Sequence, residues 1–221
     1  AALSLDLSKS SDKQVAEIED ARASFLIPIA KAFSTDIGCR VADLGIQVHG
    51  GMGYVEETGA AQVLRDVRVT AIYEGTNGIQ AIDLIGRKLS DSGKAANGLI
   101  DEIKITIRNC GDHEDLQIKE MGNRLSKSLV CMENSLNWML KREDFNDRLA
   151  GATPFLRAFG LLLGANYLVK AALNTGALDR KSLAQFYCLN ILPEMEAYGF
   201  MSQSGQHSLY SFSDNFFGFS Q

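Results

Sequence analysis

The usual signatures of metal sites, disulfide frameworks and nucleic-acid binding are missing from this 221-residue chain. Four cysteines, Cys39, Cys110, Cys131 and Cys188, stand far apart without CxxC spacing. That argues against a zinc site and a small disulfide framework, and leaves buried free thiols in a reducing compartment as the expectation. Three scattered histidines, His49, His113 and His207, remove the usual metal-cluster signal. The net charge of −5 comes with no basic stripe, so nucleic acid is not an expected partner. The start, Ala1-Ala2-Leu3-Ser4-Leu5-Asp6-Leu7, has neither a basic region nor a long apolar core, so no signal peptide is expected. It also lacks an initiator methionine and reads as a piece of a longer chain. No run of alternating strand pattern and no internal repeat is present.

Hydrophobic content of 46% and charged content of 22% are those of a soluble globular protein large enough to bury a core. Prolines number only three, and apolar residues recur mostly at helical spacing. Val15, Ile18, Phe25 and Ile29 follow one stripe, and Pro28 is expected to kink that helix or mark a break in it. Phe33, Ile37, Val41 and Leu44 form a second stripe. It runs into the loop Gly50-Gly51-Met52-Gly53, which follows a helix and therefore is not a Rossmann phosphate loop. Thr58 is a candidate N-cap for a short helix through Gln62 and Leu64. A turn, Tyr73-Glu74-Gly75-Thr76, precedes a helix carrying Ile79, Ile82, Leu84, Ile85 and Leu89, with Thr76 or Asn77 as its cap.

Residues 90–98 read as a polar connector and the best domain boundary. Beyond it, Ile100, Ile103 and Ile107 form one stripe, and Met121, Leu125, Leu129, Met132, Leu136 and Leu140 another. Thr153-Pro154 reads as N-cap and first helical residue of a helix ending near Asn174-Thr175-Gly176 with a glycine C-cap. That helix holds the longest apolar stretch, residues 155–172. Arg157, Asn166 and Lys170 interrupt it, so a buried helix is expected rather than a membrane span. A further helix covers about residues 179–192. Residues 202–221 read as an irregular tail packing its aromatics on a surface.

The chemistry concentrates in three segments. Gln47-Val48-His49-Gly50-Gly51-Met52-Gly53-Tyr54 comes first, then Arg65-Asp66, then Ile72-Tyr73-Glu74-Gly75-Thr76. Glu74 stands between an aromatic and a glycine among small and apolar residues. A carboxylate so placed is a candidate for partial desolvation, which strengthens a base. Arg65 and Asp66 read equally as a structural ion pair or as a cofactor contact. His49 reads as packing or loop support. Trp138 and the Met/Leu stripe around it read as core.

In this order and spacing the three segments resemble the C-terminal helical domain of the acyl-CoA dehydrogenase family. The clear match covers about residues 33–89. The remainder, with Ala152-Thr153-Pro154-Phe155-Leu156-Arg157, resembles the extra C-terminal helical domain of longer bacterial-type members. The resemblance implies an all-α chain: a helical bundle over residues 1–90 and an appended helical domain over 91–221. It implies α,β-dehydrogenation of an acyl-CoA thioester, with Glu74 as the base and FAD as the hydride acceptor. It assigns Gln47, Val48, His49, Gly50 and Gly51 to the ADP part of FAD bound by a neighbouring subunit. Thr76, Asn77 and Gly78 match residues that touch flavin or its phosphates, although many members carry a longer polar residue at the Gly78 position. Gly75 and Tyr73 match substrate contacts.

The implied partners are an acyl-CoA, an electron-transfer flavoprotein or similar acceptor, and further copies of the chain in a homo-oligomer. The implied location is the cytoplasm, as in bacterial-type members. Neither the N-terminal helical domain nor the middle β-domain of the family is visible in the sequence. The chain is therefore expected to be inactive alone and to hold FAD weakly or not at all. An acyl-CoA oxidase-like flavoprotein and a non-catalytic oligomerisation module are the competing readings.

Overall fold

A computed structural model describes residues 1–175, 177–212 and 216. Among them every regular element is helical and no strand occurs. The chain divides into two compact units, Ala1–Leu84 and Ile85–Gln221.

The spine of the first unit is α2 (Lys13–His49), capped by Asp12, whose Oδ1 accepts from the amides of Gln14 at 2.9 Å and Val15 at 3.3 Å. Against it lie α1 (Ala2–Leu7), α3 (Gly51–Tyr54), α4 (Ala60–Arg68) and α5 (Asn77–Asp83). Pro28 does not break α2. It is buried among Phe25, Leu26, Ile29 and Ala32, and packing of that face holds the helix through the missing N–H. The supposed glycine loop is a break and one helical turn: Gly50 ends α2 and α3 starts at once. Thr58 does not cap α4. Gly59, with φ 75°, takes that position, while the Thr58 hydroxyl donates to the Met52 carbonyl at 2.8 Å.

The apolar stripes of this unit are not all core. Val15, Ile18, Val41, Leu44, Ile79 and Ile82 are exposed. The reason is geometric. A 37-residue helix is about 55 Å long, and four short helices cover only part of its surface.

The second unit opens with a π-turn, Leu84–Lys88, which begins one residue before the division. There the Ile85 carbonyl accepts a hydrogen bond from Arg148. The polar connector is shorter than expected. Asp91 accepts from the amides of Gly93, Lys94 and Ala95, which starts α6 (Lys94–Gly111) inside the segment read as connector. Next come α7 (Leu116–Lys141), α8 (Phe145–Thr175), α9 (Leu178–Asn190) and α10 (Glu194–Met201). Helix α8 starts nine residues before Pro154, not at it. Asp144 caps it, accepting from the Asn146 amide at 2.9 Å, so Pro154 sits inside the helix.

The other helices of this unit pack around α8. By length and composition α8 is apolar enough to cross a membrane, yet most of that stretch is buried within the unit, including Phe155, Phe159, Leu162 and Val169. Phe155 and Phe159 meet edge to face at 5.8 Å. The stripes Ile100–Ile103 and Met121–Leu125–Leu129–Met132–Leu136 are buried as expected, whereas their last members, Ile107 and Leu140, are half-buried. Trp138 is only half-buried, with the Arg142 guanidinium 5.8 Å from its ring.

All four thiols are free, but only Cys110 and Cys188 are buried. Burial pushes them up to about 11 and about 12, which removes them as nucleophiles at neutral pH. The expected glycine C-cap of α8, Gly176, lies outside the described residues. Past α10 the described residues form turns and bends. Among the described tail aromatics, Tyr210, Phe212 and Phe216 are exposed rather than packed down, and the last two pair with each other at 5.1 Å; Phe217 and Phe219 lie outside the described residues.

Candidate functional site

The Tyr73–Thr76 turn joins a single 3-10 turn, Val69–Ala71, to α5. Two consecutive residues are left-handed, Glu74 at φ 54° and Gly75 at φ 84°. Glycine accepts that conformation freely, whereas a glutamate pays on the order of 1 kcal/mol for it. The turn is held from two sides. Gln80 Nε2 donates to the Glu74 carbonyl at 2.9 Å, and Lys31 Nζ donates to the Gly75 carbonyl at 2.7 Å. Lys31 also donates to Asn77 Oδ1 at 2.8 Å. At its other end the Asn77 amide donates to Asp36 Oδ1 at 2.7 Å, to Thr35 Oγ1 at 3.0 Å and to the Ala32 carbonyl at 3.2 Å. A cation faces its oxygen and a carboxylate its nitrogen, so only one orientation of the amide fits.

The Glu74 side chain itself is exposed, and it has no hydrogen bond or ion pair among the described residues. The desolvation expected from its neighbours is therefore not achieved within this chain. Ile72, Tyr73 and Ile79 around it are about half exposed. They form an apolar rim that would exclude water once covered. Thr76 holds the N-cap position of α5, yet its hydroxyl is not used for capping. Gly78 faces open space, since a Cβ there would meet nothing within 4 Å. Thr76 and Gly78 thus leave this edge of the turn open to a ligand.

Gln47, Val48, His49, Gly50 and Gly51 lie at the C-terminal end of α2, all exposed. Helical rise places them roughly 25 Å along α2 from the Lys31–Asp36 anchor, so the chain does not bring them to the turn. His49 is tied back to its own helix, Nδ1 to the Gly45 carbonyl at 2.8 Å. The glycines have separate causes. Gly50 has φ 61° and needs no side chain. A Cβ at Gly53 would run into the backbone of Ile46. Gly51 meets neither demand: a Cβ would touch nothing within 4 Å. Open glycines with exposed polar neighbours suit close approach of a phosphate, and this chain's own packing does not account for Gly51.

Arg65 does not pair with Asp66. It binds Glu56 at 2.7 Å, and both side chains are largely in water. Sequence reasoning did not find Lys31, Thr35, Asp36 and Gln80. Polar residues at positions 31 and 34–36 inside the otherwise apolar stretch 25–39 of α2 were the available signal. The described residues hold no group of three or more His, Cys, Asp or Glu able to bind a metal ion.

Residues 5–89 match the family described as "Acyl-CoA dehydrogenase, C-terminal domain", and residues 99–213 match "Acetyl-CoA dehydrogenase C-terminal like". The 3-methylmercaptopropionyl-CoA dehydrogenase of Ruegeria pomeroyi is 38% identical over 161 residues, which are 72% of this chain and 27% of that protein. The butyryl-CoA dehydrogenase of Syntrophomonas wolfei is 39% identical over 209 residues, 86% of this chain and 34% of that protein. The crystal structure of Caenorhabditis elegans ACDH-11 in complex with C11-CoA shares the fold, with a TM-score of 0.74 at 19% identity, over 96% of this chain and 36% of that one. The chain thus spans about a third or less of the length of these relatives. With the Tyr73–Thr76 turn and the glycine break standing inside the first matched region and the α8-centred unit inside the second, the chain belongs to the acyl-CoA dehydrogenase family.

Proposed function

We propose that this chain is the C-terminal part of an FAD-dependent acyl-CoA dehydrogenase, in which Glu74 removes the α-proton of the acyl thioester. The observation that carries the reading is a carboxylate with no partner among the described residues, set on a left-handed turn whose Glu74 and Gly75 carbonyls are both held. Such a carboxylate is positioned but uncommitted, as a base must be.

In this reading the α-proton passes to a carboxylate oxygen of Glu74. FAD, when bound, supplies the acceptor for the β-hydride. Tyr73 and Gly75 contact the substrate. Thr76, Asn77 and Gly78 form the edge toward the flavin, Asn77 mainly through its backbone because its side chain is engaged by α2. Gln47 to Gly51 serve the ADP part of a flavin held by a neighbouring subunit, which accounts for their distance from Glu74 along α2. Water exclusion requires the rest of the enzyme. Exposed Val41, Leu44, Val48, Ile72 and Ile79 are faces for it, or for a neighbouring subunit of a homo-oligomer, to cover. The domain boundary near residue 90, a cytoplasmic location and an electron-transfer flavoprotein as acceptor belong to the same proposal.

The test is Glu74→Gln in the full-length protein. Turnover of an acyl-CoA should fall by orders of magnitude while flavin content is retained. Unchanged turnover would reject Glu74 as the base and favour a non-catalytic module. Faster reoxidation by oxygen than by an artificial electron acceptor would assign an oxidase instead. The isolated 221-residue chain should show no stoichiometric flavin absorbance.

A further inference from the structure

We infer that Lys31 is the positioning residue for the Glu74 carboxylate, acting on it through the backbone of the turn. The inference rests on the reading of Glu74 as base. The direction of the Glu74 Cα–Cβ bond is set by the peptide planes on either side of its Cα, and the second of these is in turn oriented by the plane that follows it. The 74–75 plane is fixed by Gln80 at the Glu74 carbonyl, and the 75–76 plane by Lys31 at the Gly75 carbonyl. Gln80 belongs to α5, which the turn itself leads into, so its bond is local. Lys31 belongs to α2, 44 residues earlier, and is the long-range member of the pair. It fixes the turn to the spine of the unit.

The same ammonium holds Asn77 Oδ1, and Thr35 and Asp36 hold the other end of that amide. One side chain thus secures both the peptide after Gly75 and the first residue of α5. Without it the two left-handed residues keep only the local bond from Gln80 and lose their tie to α2, and Glu74 relaxes toward commoner backbone angles. The carboxylate then leaves the place where the proton is taken. A shift of that kind lowers the rate of proton removal more than it weakens substrate binding, because the Lys31 ammonium bonds the Gly75 carbonyl and Asn77 Oδ1 rather than the acyl-CoA itself.

The experiment has two arms. In the full-length enzyme, kcat and KM for an acyl-CoA are measured with an artificial electron acceptor for wild type, Lys31→Met, Lys31→Arg and Glu74→Gln. In the 221-residue chain, amide hydrogen exchange is followed over residues 71–80 for wild type and Lys31→Met. Lys31→Met should lower kcat by roughly 10- to 100-fold with KM nearly unchanged, since misplacement of a catalytic group by about an ångström has that effect. Lys31→Arg, which keeps a donor, should recover part of the loss. Exchange over 71–80 should rise while α6 to α8 stay protected. A kcat within about twofold of wild type, or a rise in KM alone, would overturn the assignment. If Lys31→Met yields no soluble enzyme, Lys31→Ala, which likewise removes the donor, is read in the same way. If the wild-type enzyme is inactive, or Glu74→Gln retains activity, the proposed function fails. The exchange arm then decides alone, and an unchanged turn in Lys31→Met means that Lys31 does not hold it.

Discussion

Asn77 offers the most direct physical test of the site, because its entire amide is engaged within the chain. The perturbation is Asn77→Ala. It removes an acceptor from Lys31 at 2.8 Å and a donor to Asp36 at 2.7 Å, together with bonds to Thr35 and the Ala32 carbonyl. Hydrogen bonds to charged groups are worth about 1.5–3 kcal/mol each and neutral ones about 1, a gross of roughly 5–8 kcal/mol for the four bonds. The site is only half-buried, so water can rehydrate the released Lys31 and Asp36. That discount brings the expected loss to about 2–3 kcal/mol. Spread over a chain of this size the loss lowers Tm by roughly 5–10 °C, and by more if the first unit melts separately. Thermal unfolding by far-ultraviolet circular dichroism measures it, and hydrogen exchange over residues 71–80 locates it. Asn77→Asp is the control. It keeps the size and the acceptor for Lys31 but sets a second carboxylate against Asp36, so it should do no better than alanine. A Tm within about 2 °C of wild type for Asn77→Ala, with unchanged exchange, would refute the claim that this amide braces the turn.

Two further predictions concern the second unit. The Asp147 carboxylate accepts from the Gln206 amide at 2.8 Å and is paired with Arg142, and these contacts hold it below the usual aspartate range. Because the folded value is depressed, the stabilisation is present above about pH 4 and is lost as the pH falls through the folded value. Asp147→Asn should therefore melt earlier than wild type at pH 7, and the two melting curves should converge in acid; a gap independent of pH would contradict this account. Gly199 of α10 abuts Cys131 Sγ of α7, and an added Cβ would overlap that sulfur. Gly199→Ala should cost about 1–3 kcal/mol in urea unfolding, and Cys131→Ala in the same chain should recover most of it; an additive loss would show that the sulfur is not the obstacle.

Local pattern made most of the second unit legible. Its stripes at positions 100–103 and 121–136 are buried because a helical period creates an apolar face, and α6 to α10 supply enough surface to cover it. The same pattern misled at Val41, Leu44, Ile79 and Ile82. Periodicity reports that a face is apolar, not that anything within the chain covers it. Pro154 was read as the start of its helix and Pro28 as a kink or a break in its own, yet α8 begins earlier and α2 runs unbroken through Pro28. A buried face on either side outweighs one lost hydrogen bond, and the cap of α8 was available earlier at Asp144.

By itself the sequence determined the helical class, the order of the motifs and the position of Glu74 in a turn before a helix. All three follow from residue type and spacing along the chain. Only the tertiary structure decided what holds that turn. Lys31, Thr35 and Asp36 lie more than forty positions from their partners at Gly75 and Asn77, a separation that no local pattern spans. It also decided that Glu74 stays in water here, because burial depends on what packs over a residue rather than on its neighbours in sequence.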